Sequence, residues 1–114
     1  MNIPSAGDLV WVDFEPVRGS EQGGVRPAIV LSSYEFHSQS PKAIVCPVTG
    51  NLSPWPTKVF LPVGLKTRGC ILADQVRTVH RSQRGFRFIE ATPQEVLHDV
   101  RTVLASLLGI SALA

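Results

Sequence analysis

The chain has 114 residues, 44% hydrophobic and 18% charged, which fits a single globular domain over residues 1–114 and excludes a disordered chain or two separate cores. A formal charge of +2 says little about partners by itself. No apolar run approaches the ~18 residues that a spanning helix needs and the N-terminus is short and polar, so no membrane role and a cytoplasmic location are expected.

Strand signals dominate to about residue 91. Leu9–Phe14 and Pro27–Ser32 form the first pair, rich in Val, Ile and aromatic residues. The segment between them, through Gly19, Ser20, Glu21, Gln22, Gly23 and Gly24 to Arg26, is far longer than the ~2–5 residues usual in a hairpin. Ordering such a loop is costly, so its presence suggests a use. Pro27 holds Arg26 in extended backbone, and a guanidinium fixed at a strand mouth is suited to meeting a phosphate.

Tyr34-Glu35-Phe36 has room for a short helical turn. Ala43–Thr49 reads as the third strand, Lys58–Pro62 as the fourth, Ile71–Val79 as the fifth and Phe86–Ala91 as the sixth. Turn residues separate them, with Pro54 and Pro56 flanking Trp55 between the third and fourth. This spacing predicts a small closed or half-closed antiparallel barrel. Thr92-Pro93-Gln94-Glu95 reads as a capping box with proline at the first helical position. Val96, Val100, Val103, Leu104, Leu107 and Leu108 then recur at helical spacing, and Gly109 is the expected stop. That stripe is expected to pack on the sheet, with a partner surface as the alternative.

Cys46 and Cys70 lie in apolar strand-like runs and read as buried free thiols rather than a disulfide or metal ligands. His37, His80 and His98 are scattered, with no ligand spacing, so no metal and no cofactor are assigned. There is neither a nucleophile elbow nor a phosphate-binding Gly-Lys-Ser/Thr loop. Between Asp74 and Glu90 no acid occurs, while Arg77, Arg81, Arg84 and Arg87 accumulate with His80. This tract suits either a nucleic-acid backbone or an ordinary solvated turn. Arg26, Glu21 and the Thr49 hydroxyl, at the end of the third strand, can converge on one rim of a curled sheet and hold one phosphate.

Gly7-Asp8 through Val10-Trp11-Val12, the loop Arg18-Gly19-Ser20-Glu21-Gln22 and Arg26-Pro27-Ala28-Ile29-Val30-Leu31-Ser32 together resemble the MazF/PemK (Kid) family of toxin endoribonucleases. The likeness continues through Pro47-Val48-Thr49 and Leu72-Ala73-Asp74-Gln75-Val76-Arg77 to the C-terminal helix. It implies a mainly β fold with α, a small antiparallel SH3-like barrel of about six strands plus that helix, assembled as a homodimer. It also implies metal-free, sequence-specific cleavage of single-stranded RNA, and neutralisation by a cognate MazE-like antitoxin with an acidic tail. Arg26 and Thr49 match the family's catalytic arginine and threonine, and Glu21 its acidic loop position.

The expected chemistry is attack by the substrate's own 2′-OH, giving a 2′,3′-cyclic phosphate and a 5′-OH end. Glu21 is the available base, Arg26 the charge stabiliser and Thr49 a hydroxyl donor to the same phosphate. Ser20, Gln22, Trp55, Gln75, Arg77, Arg81 and Arg84 are the expected RNA contacts. Trp55 offers either a stacking face or a plug at one barrel end, and Gln75 and Arg77 are expected on the same side of one strand. Two alternatives stand beside this reading. One is a CcdB-like toxin that binds DNA gyrase, for which the small apolar end Ile110–Ala114 shows no signature. The other is a non-catalytic RNA-binding barrel that uses only the basic tract.

Overall fold

In a computed structural model that describes residues 3–15 and 23–111, the first three strands are buried on both faces, which is why their sequences are so densely apolar. They are β1 (Asp8–Asp13), β2 (Val25–Val30) and β3 (Lys42–Thr49). Successive residues point to opposite faces of a strand. Leu9, Ile29, Cys46 and Val48 accordingly join one apolar cluster, while Val10, Val12, Ala28, Val30 and Val45 join another with Phe14, Ala43 and Val79.

The remaining strands are β4 (Lys58–Phe60), β5 (Cys70–Leu72), β6 (Arg77–His80) and β7 (Arg87–Ala91). All pairings are antiparallel, in the order β4-β5-β3-β2-β1-β7, with β6 also on β3. Among the described residues the sheet is curled but not closed, and β4 and β7 end its main path. β3 is the hub: it pairs with β2 along one edge and is shared by β6 and β5 along the other. Pro47, which has no N–H to give, sits where β3 passes from β6 to β5.

The continuous fifth strand expected over Ile71–Val79 is two strands joined by a 3-10 turn, Ala73–Gln75. The break lets the chain leave β3 beside Val48 and rejoin it beside Val45. It also raises the strand count to seven and cancels the period-two argument that put Gln75 and Arg77 on one side of one strand.

Ser33 caps the short helix α1 (Tyr34–Gln39) through its Oγ, which accepts from Phe36 N at 3.1 Å. Helix α2 (Gln94–Leu108) buries Val96 and Val100 in the first cluster, with Leu97, Val103 and Leu104 packed around them. Its stop is as expected: Gly109 adopts a left-handed φ of 72°, and Ile110 N closes on Ala105 O at 2.7 Å. Its start differs. Pro93 occupies the cap position without a side-chain bond, because the Thr92 hydroxyl donates instead to Gly7 O at 2.7 Å, tying the helix to the entry of β1. No helix among the described residues is long and apolar enough to cross a membrane.

Both cysteines are free and buried. Burial, with the Asp74 charge nearby, pushes the Cys46 thiol up to about 12, so it behaves as packing rather than as a nucleophile.

Candidate active site

The rim is built where β2 begins and β3 ends. The register matches Ala28 to Pro47 and Ile29 to Cys46; carried two residues further, it sets Arg26 opposite Thr49. On its other side Arg26 faces Val12 of β1. The guanidinium is half-buried, donating from Nε to Gly23 O at 2.8 Å and from Nη1 to Val48 O at 3.4 Å. Within the described residues Nη2 makes no hydrogen bond.

Thr49 is 6% exposed. Its Oγ1 accepts from Asn51 N at 3.2 Å, which uses a lone pair and leaves the hydroxyl hydrogen for another acceptor. Thr49 is held from behind by Gly69, whose φ of +131° favours glycine; a Cβ there would lie 2.2 Å from the Thr49 carbonyl oxygen. Neither Gly69 nor Asn51 stands out in the sequence. The only available signal is a glycine directly before a short apolar strand, which marks a close backbone approach.

The neck of the long loop is clamped. Gly24 N donates to Glu15 Oε1 at 2.9 Å, Phe14 N donates to Gly24 O at 3.0 Å, and Arg84 Nη1 donates to Glu15 O. Ser20, Glu21 and Gln22, the base and two contacts expected from the sequence, lie outside the described residues.

The other expected contacts separate. Trp55 is 64% exposed on the connection between β3 and β4, so it does not plug a barrel end. Arg77 stacks its guanidinium over the Phe14 ring, 5.7 Å from the centroid. Gln75 belongs to the 3-10 turn. Arg81 is committed to the scaffold: Nη1 reaches the carbonyls of His37, Ser40 and Lys42 at 3.3, 3.1 and 3.4 Å, and Nη2 reaches His37 O at 3.3 Å. Arg84 likewise works on the loop neck. His37 is buried, with ring nitrogens 2.6 Å from Ser32 Oγ and 2.7 Å from Pro4 O, while His98 is exposed on α2. Among the described residues no three His, Cys, Asp or Glu side chains gather as a metal site needs.

Away from the rim, Glu90 pins the β4–β5 connection. It accepts from Lys66 N at 3.0 Å, Thr67 N at 2.8 Å and Thr67 Oγ1 at 2.9 Å. Desolvation works against its charge, but these bonds and the Lys66 ammonium outweigh it and hold the carboxyl below its ordinary value.

Comparison with known proteins agrees with this fold. Residues 5–108 match the model of the PemK-like, MazF-like toxins of type II toxin–antitoxin systems. The endoribonuclease toxin MazF of Escherichia coli is 36% identical over 107 residues, covering 94% of this chain and 96% of its own. A crystal structure of MazF from Deinococcus radiodurans superimposes with a TM-score of 0.92 at 40% identity, covering 96% of this chain and all of that one. A MazE-MazF crystal structure from the same organism gives 0.85 at 36% identity, covering 97% of this chain and 100% of that one.

Proposed function

We infer the activity from kinship and geometry together: the chain belongs to the PemK-like, MazF-like toxin family of type II toxin–antitoxin systems, and it is an endoribonuclease toxin. The observation that carries the site is the Arg26 guanidinium beside Val48 O, at the strand end that bears the Thr49 hydroxyl. One phosphodiester fits between them, with the guanidinium on its non-bridging oxygens and the hydroxyl hydrogen on the same phosphate.

In this reading the substrate is single-stranded RNA, cut at a short sequence in the cytoplasm. Glu21 takes the proton of the 2′-OH, the O2′–P bond forms as the P–O5′ bond breaks, and the departing 5′-oxygen takes up a proton from solvent, leaving a 2′,3′-cyclic phosphate and a 5′-OH end. The nucleophile comes from the substrate, so the scheme needs no metal. The Arg26 guanidinium fork matches the geometry of phosphate oxygens and therefore serves as charge stabiliser. Trp55, exposed on the connection that follows Thr49, supplies a face for an unstacked base, and Arg77 contributes positive charge toward the backbone. Arg81 and Arg84 shape the scaffold instead. The working form is a homodimer, and a MazE-like antitoxin silences it with an acidic tail laid over the RNA groove.

The test is incubation of purified protein with a defined RNA in EDTA. Discrete fragments ending in cyclic phosphate are expected. Intact RNA with retarded mobility would make the protein a binding module, and intact RNA together with capture of gyrase would move it to the poison class.

A further inference from the structure

The connection Gly50–Thr57 follows Thr49 directly and exposes two large apolar side chains, Leu52 at 59% and Trp55 at 64%. It contains no helix or strand, yet it is closed on itself by hydrogen bonds. Asn51 N donates to Thr49 Oγ1, and Ser53 N donates to Asn51 Oδ1 at 3.0 Å. Lys58, the first residue of β4, then closes the ring: its Nζ donates to Asn51 O at 3.0 Å and to Ser53 O at 2.8 Å, while its N donates to Trp55 O at 3.0 Å. Among the described residues the ammonium has no carboxylate partner, so its bonds go to the loop. Pro54 and Pro56 fix φ on either side of Trp55. A loop backbone held in this way has less ordering entropy to lose when a ligand meets the exposed indole.

We propose that Lys58 is a positioning residue that holds the Gly50–Thr57 loop closed, so that Trp55, on the connection leaving Thr49, is presented as a stacking platform for one base of single-stranded RNA. The inference rests on the RNA-cleaving reading for its substrate class. It adds that Lys58 acts through Trp55 and not by touching phosphate.

The experiment measures anisotropy of a short, labelled, random-sequence single strand with 2′-deoxy sugars throughout, which 2′-OH chemistry cannot cut. Binding is compared for the unchanged protein, Lys58→Met, Trp55→Ala and the double variant, with melting curves as the folding control. Trp55→Ala is expected to weaken binding about tenfold, in the range of one lost base stack. Lys58→Met should weaken it about three- to tenfold. The double variant should bind no more weakly than Trp55→Ala alone, and Lys58→Arg, which can donate to the same carbonyls, should restore most of the affinity. On cleavable RNA the loss should appear in KM with kcat nearly unchanged.

Additive losses, or a salt dependence lowered by about one phosphate contact in Lys58→Met, would overturn the proposal in favour of direct phosphate binding. Unchanged affinity in Lys58→Met, or no binding by the unchanged protein, would also overturn it. Tight, non-additive binding without cleavage of any RNA would instead keep the platform and remove the nuclease reading.

Discussion

Arg26 and Arg81 are both half-buried arginines near a strand end, one at the mouth of β2 and one just after β6. Arg26 spends Nε on Gly23 O and makes one long contact to Val48 O, both carbonyls belonging to the rim it serves. Arg81 closes on three carbonyls of α1 and its exit, fastening that helix to the sheet. The side chains are the same, so the backbone oxygens that the fold delivers to each decide its work. A guanidinium becomes material for phosphate chemistry only where the scaffold leaves its fork uncommitted.

This contrast can be broken by substitution. The largest effect is expected for Arg26→Ala, with cleavage falling about 10²–10³-fold or more, as for loss of one transition-state donor, while the melting temperature moves little. Appreciable cleavage by a clean preparation of this variant would remove Arg26 from the site. Gly69→Ala should cost about 3 kcal/mol, because a Cβ must displace the Thr49 carbonyl or adopt a disfavoured φ. Denaturant unfolding measures the loss, and turnover of the folded fraction should fall with it because Thr49 moves.

Arg81→Ala should destabilise by about 2 kcal/mol, since carbonyls of His37, Ser40 and Lys42 lose their donor, while the folded fraction keeps its kcat within about twofold. Loss of kcat without loss of stability would reverse the contrast with Arg26. The smallest effect concerns Glu90, far from both arginines. Its folded pKa lies below the unfolded one, so its contribution is present at neutral pH and lost as pH falls through the folded value. Glu90→Gln should therefore lower the melting temperature at pH 7 and narrow the gap to the unchanged protein in acid. A gap that is constant with pH would contradict this assignment.

The sequence is most legible where burial is two-sided. Leu9–Phe14, Pro27–Ser32 and Ala43–Thr49 each fall within a residue or two of a strand, because alternate side chains feed two apolar clusters and both sets must be hydrophobic. Legibility fails where a distant partner decides. The Thr92 hydroxyl looks like a helix cap, but Gly7 O, 85 residues away, takes it. Ile71–Val79 carries unbroken strand composition, yet the division of β3 between two neighbours forces a 3-10 turn at Ala73–Gln75.

The candidate site follows the same rule. The approach of Arg26 to the end of β3 is readable because both lie at the ends of strongly apolar strands, one before Pro27 and one before Gly50. The basic tract is not, because the bonds that commit Arg81 and Arg84 cross 39 to 69 residues. Lys58 and Gly69 act through backbone oxygens alone, so side-chain chemistry gives no hint of them.

The proposed cleavage at the Arg26–Thr49 rim depends on the substrate's own 2′-OH. It is tested most directly by mapping cut sites on a long RNA and then replacing the 2′-OH by hydrogen at one of them. This single site is expected to fall silent while neighbouring sites are cut as before, each leaving a 2′,3′-cyclic phosphate. Cleavage at the deoxy position would mean that the nucleophile comes from elsewhere, and the mechanism would not stand.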